Sequence, residues 1–264
     1  MRTFFKISIV FLLVFISSCD SENGLNCTQA AGDLVRQELS VESFERVLVY
    51  ERTRLLVQQG PEYKVIVETG ENLLNDIDIK VQDNQLIIVN NNGCNLVRNY
   101  GITTVTVIAP NLTEIRSSTG EDTRSIGTLN YSRLTLYSED AQEEDLYHTT
   151  GNFYLDLDVD SFRIVTNNLS NFYLNGEVNN ASLEWYSGDG QLFASDLEIQ
   201  NAQVYHRGTH NWQIDVKQNI AGSIVGYGDV ILESAPVSVN VQETWQGRLI
   251  IKINYCSTIG NSAL

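Results

Sequence analysis

The sequence predicts an all-β chain whose second half is a solenoid of stacked coils, and three observations carry that prediction. First, across residues 146–249 a short strand, a tight polar turn and a second strand recur about every 19 residues. The strands after the turns read GNFYLD from Gly151, SNFYLN from Ser170, GQLFAS from Gly190, HNWQID from His210 and GDVILE from Gly228, at spacings of 19, 20, 20 and 18. Such a period marks a solenoid, because one coil cannot bury its apolar side until the next stacks on it. Second, two columns of the repeat are apolar throughout: Phe153, Phe172, Leu192, Trp212 and Val230, then Leu155, Leu174, Ala194, Ile214 and Leu232. Side chains at i and i+2 of a strand share a face, so both columns point into one core. Third, only 3 prolines stand against many Val, Ile, Leu, Tyr, Thr and Asn, a composition that suits strands joined by polar turns. Only residues 30–39 hint at a helix.

The columns between these should face outward. One is polar, with Asp156, Asn175, Ser195, Asp215 and Glu233. Two neutral rows then separate Asp156 from Asp215 by about 14 Å, beyond the screening length, so stacking costs little electrostatically. The other outer column begins Tyr154, Tyr173 and Phe193 before turning to Gln213 and Ile231. These three aromatics are the candidate binding face, a platform for stacking sugar rings or docking a partner. Strand propensity is the plainer account of them, since aromatic residues favour pleated surfaces and each other, and cover by a loop or by the first subdomain is a third.

In chain order, residues 1–18 carry Arg2 and Lys6, the apolar run IVFLLVFI and the small residues Ser17 and Ser18 directly before Cys19. That is the pattern of a secretory signal, too short for a mature transmembrane helix. The stretch ISSC resembles a bacterial lipobox, which makes Cys19 the expected lipid attachment site and residues 19–40 a lipidated tether. Two or more acyl chains make such anchoring lasting. Loss of Arg2 and Lys6 moves the net charge from −16 to about −18. An acidic chain without a Lys/Arg patch is a poor partner for nucleic acid or anionic lipid. Of the remaining cysteines, Cys27 with Cys94 is the pairing that pins the tether to the body, and Cys256 is an equal alternative partner. None has the spacing of a zinc or redox site.

Residues 41–116 read as a strand-rich subdomain. FERVLVY alternates, RLLVQQG and YKVIVET flank the turn signal Gly60-Pro61, and IDIKV and QLIIV form a hairpin around Gln82, Asp83 and Asn84. TVTVIAPNLTEI then leads to the stacked region, residues 117–255, with a short tail over 256–264.

The phrases SFERVLVY, LLVQQGPEYKVIVETGENLL, IDIKVQDNQLIIV and VTVIAPNLTEI, followed by SGDGQL and IVGYGDVILESAP, resemble the GIN-type "putative auto-transporter adhesin head" domain of bacterial exported proteins. The likeness runs from about Val41 to Ile253 and is strongest from Gly226 to Pro236. It implies a right-handed, single-stranded β-helix or β-roll capped at one end by extra strands, and it implies no enzyme activity. The family's Gly-Ser-Gly-Asp turn survives well only near Gly188 and Gly226, and Leu169 and His210 fit it less comfortably. In the strands before each turn, Phe162 and Ile164 match Ala202 and Val204, while Leu183 and Trp185 read one position off, as a bulge would cause.

Constellations for chemistry are sparse. Asp156, Asp158 and Asp160 imitate a calcium run but alternate with Leu155, Leu157 and Val159 and lack the Gly and distal Glu of a calcium loop. His206 and His210 flank a turn without a third ligand. No nucleophile motif or catalytic pair assembles. The sequence thus leads to a non-catalytic lipoprotein of the bacterial cell envelope, with no cofactor or metal, anchored in the outer membrane. Its expected partners are the membrane and a glycan or protein surface. A self-associating structural component is the alternative, and a glycan-active enzyme ranks below both.

Overall fold

The computed structural model describes residues 29–93, 101–141, 143 and 146–252. Cys19, Cys27, Cys94 and Cys256 lie outside the described residues, as do the signal and the C-terminal tail. Among the described residues no helix is long and apolar enough to cross a membrane. The chain is all-β and builds one large, mostly parallel sheet.

Its stacked half holds five long strands, β9 (Thr123–Ser138), β10 (Phe153–Thr166), β11 (Phe172–Trp185), β12 (Leu192–His206) and β13 (Trp212–Ile224), then β14 (Val230–Leu232), β15 (Ser238–Glu243) and β16 (Leu249–Ile251). Each long strand pairs in parallel with the next, Phe153 opposite Phe172, Phe172 opposite Leu192 and Leu192 opposite Trp212. In β10 the buried phase runs through Phe153, Leu155, Leu157 and Val159, then shifts by one to Phe162 and Ile164. A period-two pattern skips one residue where a strand bulges or turns a corner, and here both neighbouring strands keep their register across the skip, as they do when all rungs turn together. Asp160 and Ser161 are that corner, and the two halves of every rung send alternate side chains into one core. The five residues of the first spine, Phe153, Phe172, Leu192, Trp212 and Val230, are all fully buried. So are their partners two residues on, from Leu155 to Leu232.

The N-terminal strands extend both halves of this stack. On one side lie β3 (Arg54–Gln59), β7 (Thr104–Ala109), β4 (Lys64–Gly70) and β1 (Leu34–Ser40), and β3 pairs with the start of β9. On the other lie β8 (Glu114–Ser117), β2 (Arg46–Val49), β6 (Gln85–Asn90) and β5 (Ile77–Gln82), and β8 pairs with the end of β9. Pairing turns antiparallel only at these outer margins. The expected hairpin forms, but its loop is Asp83 and Asn84 alone because Gln82 stays in β5, and both loop residues have positive φ, 50° and 62°, the conformation a two-residue loop demands.

Three expectations need correction. Residues 30–39 hold no helix. Leu34–Ser40 is an edge strand paired antiparallel with β4, with Val35 and Leu39 half-buried and the other residues exposed. The slipped register belongs to β12: Leu183 lies opposite Ile164 and Trp185 opposite Thr166, whereas β12 carries an extra residue between Phe193 and Asp196. That bulge also rearranges the polar column. Asn175 faces Asp196 rather than Ser195, and a larger shift after Ala194, where three residues of β12 have no counterpart in β13, puts Asp215 opposite Glu198, so two acids meet on adjacent rungs. Lys217 Nζ sits 2.6 Å from Asp215 and offsets the repulsion.

Close stacking explains the glycines of the turns. A Cβ on Gly151, Gly190 or Gly228 would lie 2.1–2.3 Å from a carbonyl oxygen of the preceding rung. Gly176, at φ +106°, replaces a core side chain because its Cβ would stand 2.0 Å from the Leu157 carbonyl.

Candidate functional site

Tyr154, Tyr173 and Phe193 stand at one register position on the outward side of β10, β11 and β12. Parallel in-register pairing therefore brings their rings together, with centroids 4.6 Å apart at 3° for the two tyrosines and 4.7 Å at 6° for Tyr173 and Phe193. Each pair contributes roughly 0.5–1.5 kcal/mol beyond its burial, so the row stabilises the stack by itself. The Arg124 guanidinium, held by Asp122 at 2.7 Å, lies 3.8 Å over the free face of Tyr154 and closes that end. Gln213 follows Phe193 at the other.

This geometry sets what the row can do. The ring faces are turned on one another, so a sugar meets the ring edges and the two phenol hydroxyls. Beside them a groove of about 210 Å³ runs between Arg124, Tyr154, Tyr173, Asp156 and Asn175. Asn175 Nδ2 donates to Asp156 Oδ1 at 3.0 Å. Burial raises the Tyr173 pKa, and Tyr154 and Asp122 add to the shift. The phenol therefore stays protonated and able to donate at neutral pH.

The other sequence candidates are separated from any common site. Asp156, Asp158 and Asp160 each accept from an Asn of a neighbouring rung, Asn175, Asn130 and Asn179, at 3.0, 2.6 and 3.0 Å. They are a solvated strand face. In the acidic segment after β9, Glu139 is bound to Arg116 at 2.9 Å and Asp140 accepts from Asn167 at 2.7 Å. His206 is fully buried against Trp212, with ring centroids 4.2 Å apart, and His210 is exposed. The His206 Nε2–H donates to the His210 carbonyl at 3.0 Å and Nδ1 accepts from the Gly208 N–H at 3.3 Å, which leaves no lone pair for a metal. Among the described residues no group of three His, Cys, Asp or Glu side chains is placed to hold one.

A second cluster went unnoticed in the sequence. On the other half of the rungs, Arg163 grips Glu184 through two bonds of 2.7 Å, and Glu184 also accepts from Tyr186 and Ser182. Those bonds, that of Arg163 foremost, hold the Glu184 carboxyl down to about 2. Tyr186 lies against Tyr205, and Arg116 sits between Tyr137 and Tyr147 at 4.6 and 4.8 Å. The signal was present, because Tyr186 and Tyr205 recur at the repeat's own spacing.

The family model described as "Putative auto-transporter adhesin, head GIN domain" matches residues 43–236. Among solved structures the chain is similar to a "putative adhesin" from Bacteroides fragilis NCTC 9343, with a TM-score of 0.74, 17% identity and coverage of 83% of this chain and 97% of that one. It is also similar to a "putative adhesin" from Parabacteroides merdae ATCC 43184, with a TM-score of 0.55, 17% identity and coverage of 84% and 97%. A "putative lipid binding protein" from Parabacteroides distasonis ATCC 8503 aligns with a TM-score of 0.60, 14% identity and coverage of 84% and 98%. At such identities the likeness speaks for the fold. No curated protein matches the chain.

Proposed function

The chain belongs to the "Putative auto-transporter adhesin, head GIN domain" family, and from that membership we propose a non-catalytic binding module that presents a rigid outer face from the bacterial envelope. In this reading the stack is a right-handed, single-stranded solenoid, Cys19 carries the lipid, and the outer membrane holds it. The Tyr154, Tyr173 and Phe193 row with its groove is the contact surface for a glycan or protein. The observation that carries the reading is the continuous pairing of Arg124, Tyr154, Tyr173, Phe193 and Gln213 at one register position, which fixes the ring edges at the rung spacing. Groups held by a packed core lose little entropy when they bind.

The test is a glycan and host-matrix array probed with the protein from Asp20 onward. Retention should fall at least tenfold with Tyr173→Ala and Phe193→Ala together, and retention that ignores both changes refutes this face. Cys19→Ser should abolish acyl labelling and move the full-length protein from the membrane to the soluble fraction; a membrane-bound variant removes the anchor from the reading.

A second reading, a structural component that self-associates, is favoured by the last rung among the described residues. Val239 and Ile251 occupy core columns there yet are 47% and 36% exposed. Sedimentation velocity separates the two readings: a monomer at all concentrations excludes self-association.

A further inference from the structure

Where the N-terminal strands meet the first full rung, four segments surround an open cleft: residues 50–53 between β2 and β3, residues 89–91 at the end of β6, residues 120–121 ahead of β9, and residues 146–150 ahead of β10. Two grooves of about 360 and 460 Å³ share Glu51 and Arg52 as a common wall. Their size is that of a small-molecule site. One groove is bordered by Tyr50 and Leu146, the other by Glu121, His148 and Thr150. None of these residues belongs to the Tyr154 row or its groove.

Arg52 is the unusual member. Among the described residues, non-glycine positive φ occurs at Asp83 and Asn84 of the hairpin and at Arg52, whose φ is 61°. A long side chain in that conformation is strained, and such strain concentrates at functional sites. The surroundings over-determine it. Asn90 Nδ2 donates to the Arg52 carbonyl and the Asn90 carbonyl accepts from Arg52 Nη2, both at 3.1 Å. Arg52 Nη1 meets one Glu51 oxygen, and His148 Nε2 meets the other. Arg52 Nε is buried without a hydrogen-bond partner.

The result is a row of guanidinium, carboxylate and imidazole fixed in mutual contact, beside an aromatic wall in which Tyr50 stacks on Tyr147 at 6.2 Å and 12°. Alternating planar donors and acceptors suit adjacent hydroxyls, each of which both donates and accepts. The charges nearly cancel, since Arg52 pairs with Glu51 and Arg54 with Glu121 at 3.3 Å, and a chain of net charge −16 repels anionic sugars at long range. We propose that the groove between Glu51, Arg52, Glu121 and His148 is a binding site for a neutral saccharide, with Glu51, Arg52 and His148 bonding its ring hydroxyls.

The experiment titrates the protein from Asp20 onward with methyl β-galactopyranoside and methyl α-mannopyranoside and follows backbone amide shifts by NMR. At least one glycoside should move the amides of Gly120, Glu121 and Thr150, and galacturonate should bind more weakly than the neutral sugar. Arg52→Gly, which accepts the positive φ without strain, should keep the melting temperature and weaken binding about tenfold. His148→Asn, on an exposed side chain, should weaken it similarly and serves if Arg52→Gly fails to fold. The proposal is overturned if neither glycoside moves those amides, if galacturonate is preferred, or if a folded Arg52→Gly or His148→Asn binds as well as the parent. Binding should survive Tyr173→Ala with Phe193→Ala; its loss there assigns the sugar to the outer face and removes the cleft, leaving the face reading intact.

Discussion

Acid should loosen this protein through one buried ring. His206 lies in the same core column as Trp185 and Ile224, and its two nitrogens are satisfied only in the neutral form. Protonation would place a second N–H against the Gly208 N–H. Burial lowers its pKa from 6.5 to about 4, outweighing the opposite pull of the His210 carbonyl and Asp229. Because the folded value lies below the unfolded one, the unfolded chain binds the proton first as pH falls. The stabilisation is whole above about pH 6.5 and is lost progressively down to about pH 4. At 1.36 kcal/mol per unit the loss is about 3 kcal/mol, a large share of the stability of an ordinary domain. Glu184, held down to about 2, acts in a lower window, losing its contribution only below about pH 4.5. Urea unfolding at pH 7, 5.5 and 4 reads the effect, with His206→Gln as the comparison. The variant's stability at pH 7 is immaterial; its slope between pH 6.5 and 4 should be shallower than that of the parent by about 3 kcal/mol in total. Equal slopes would refute the assignment and move the acid response to carboxylates.

Other perturbations follow from the same packing. Gly176→Ala should destabilise by about 2–4 kcal/mol in thermal melts, since it forces a Cβ onto the Leu157 carbonyl at a φ that alanine avoids. Phe172→Ala, which empties a site stacked on Phe153 at 4.7 Å and edge-on to Trp185 at 5.1 Å, should cost about 3–5 kcal/mol by urea titration. Lys217→Met should cost about 0.5–1 kcal/mol at low ionic strength by leaving Asp215 beside Glu198, and the difference should shrink in high salt.

The repeat made the spine readable from the residues alone. Phe153 to Val230 and Leu155 to Leu232 are apolar at constant spacing, and a period-two strand has one way to bury both columns. The sequence also determined the turns, because glycine recurs where stacked carbonyls leave no room for a Cβ. Other features depended on partners distant in the chain. The bulge in β12 shows only when Asn175 is seen facing Asp196, and a larger shift of β12 against β13 decides which acids become neighbours. Leu34–Ser40 became a strand because β4 offered it an open edge, an offer that local propensity does not register. The cleft at Arg52 unites residues about a hundred positions apart. For the aromatic row, composition named the residues, but only the stacking of rungs at 4.6–4.7 Å turned ring faces inward and left edges outward. Side-chain type and period are local quantities carried by the chain; orientation and neighbourhood arise when separate rungs meet, and they were decided there.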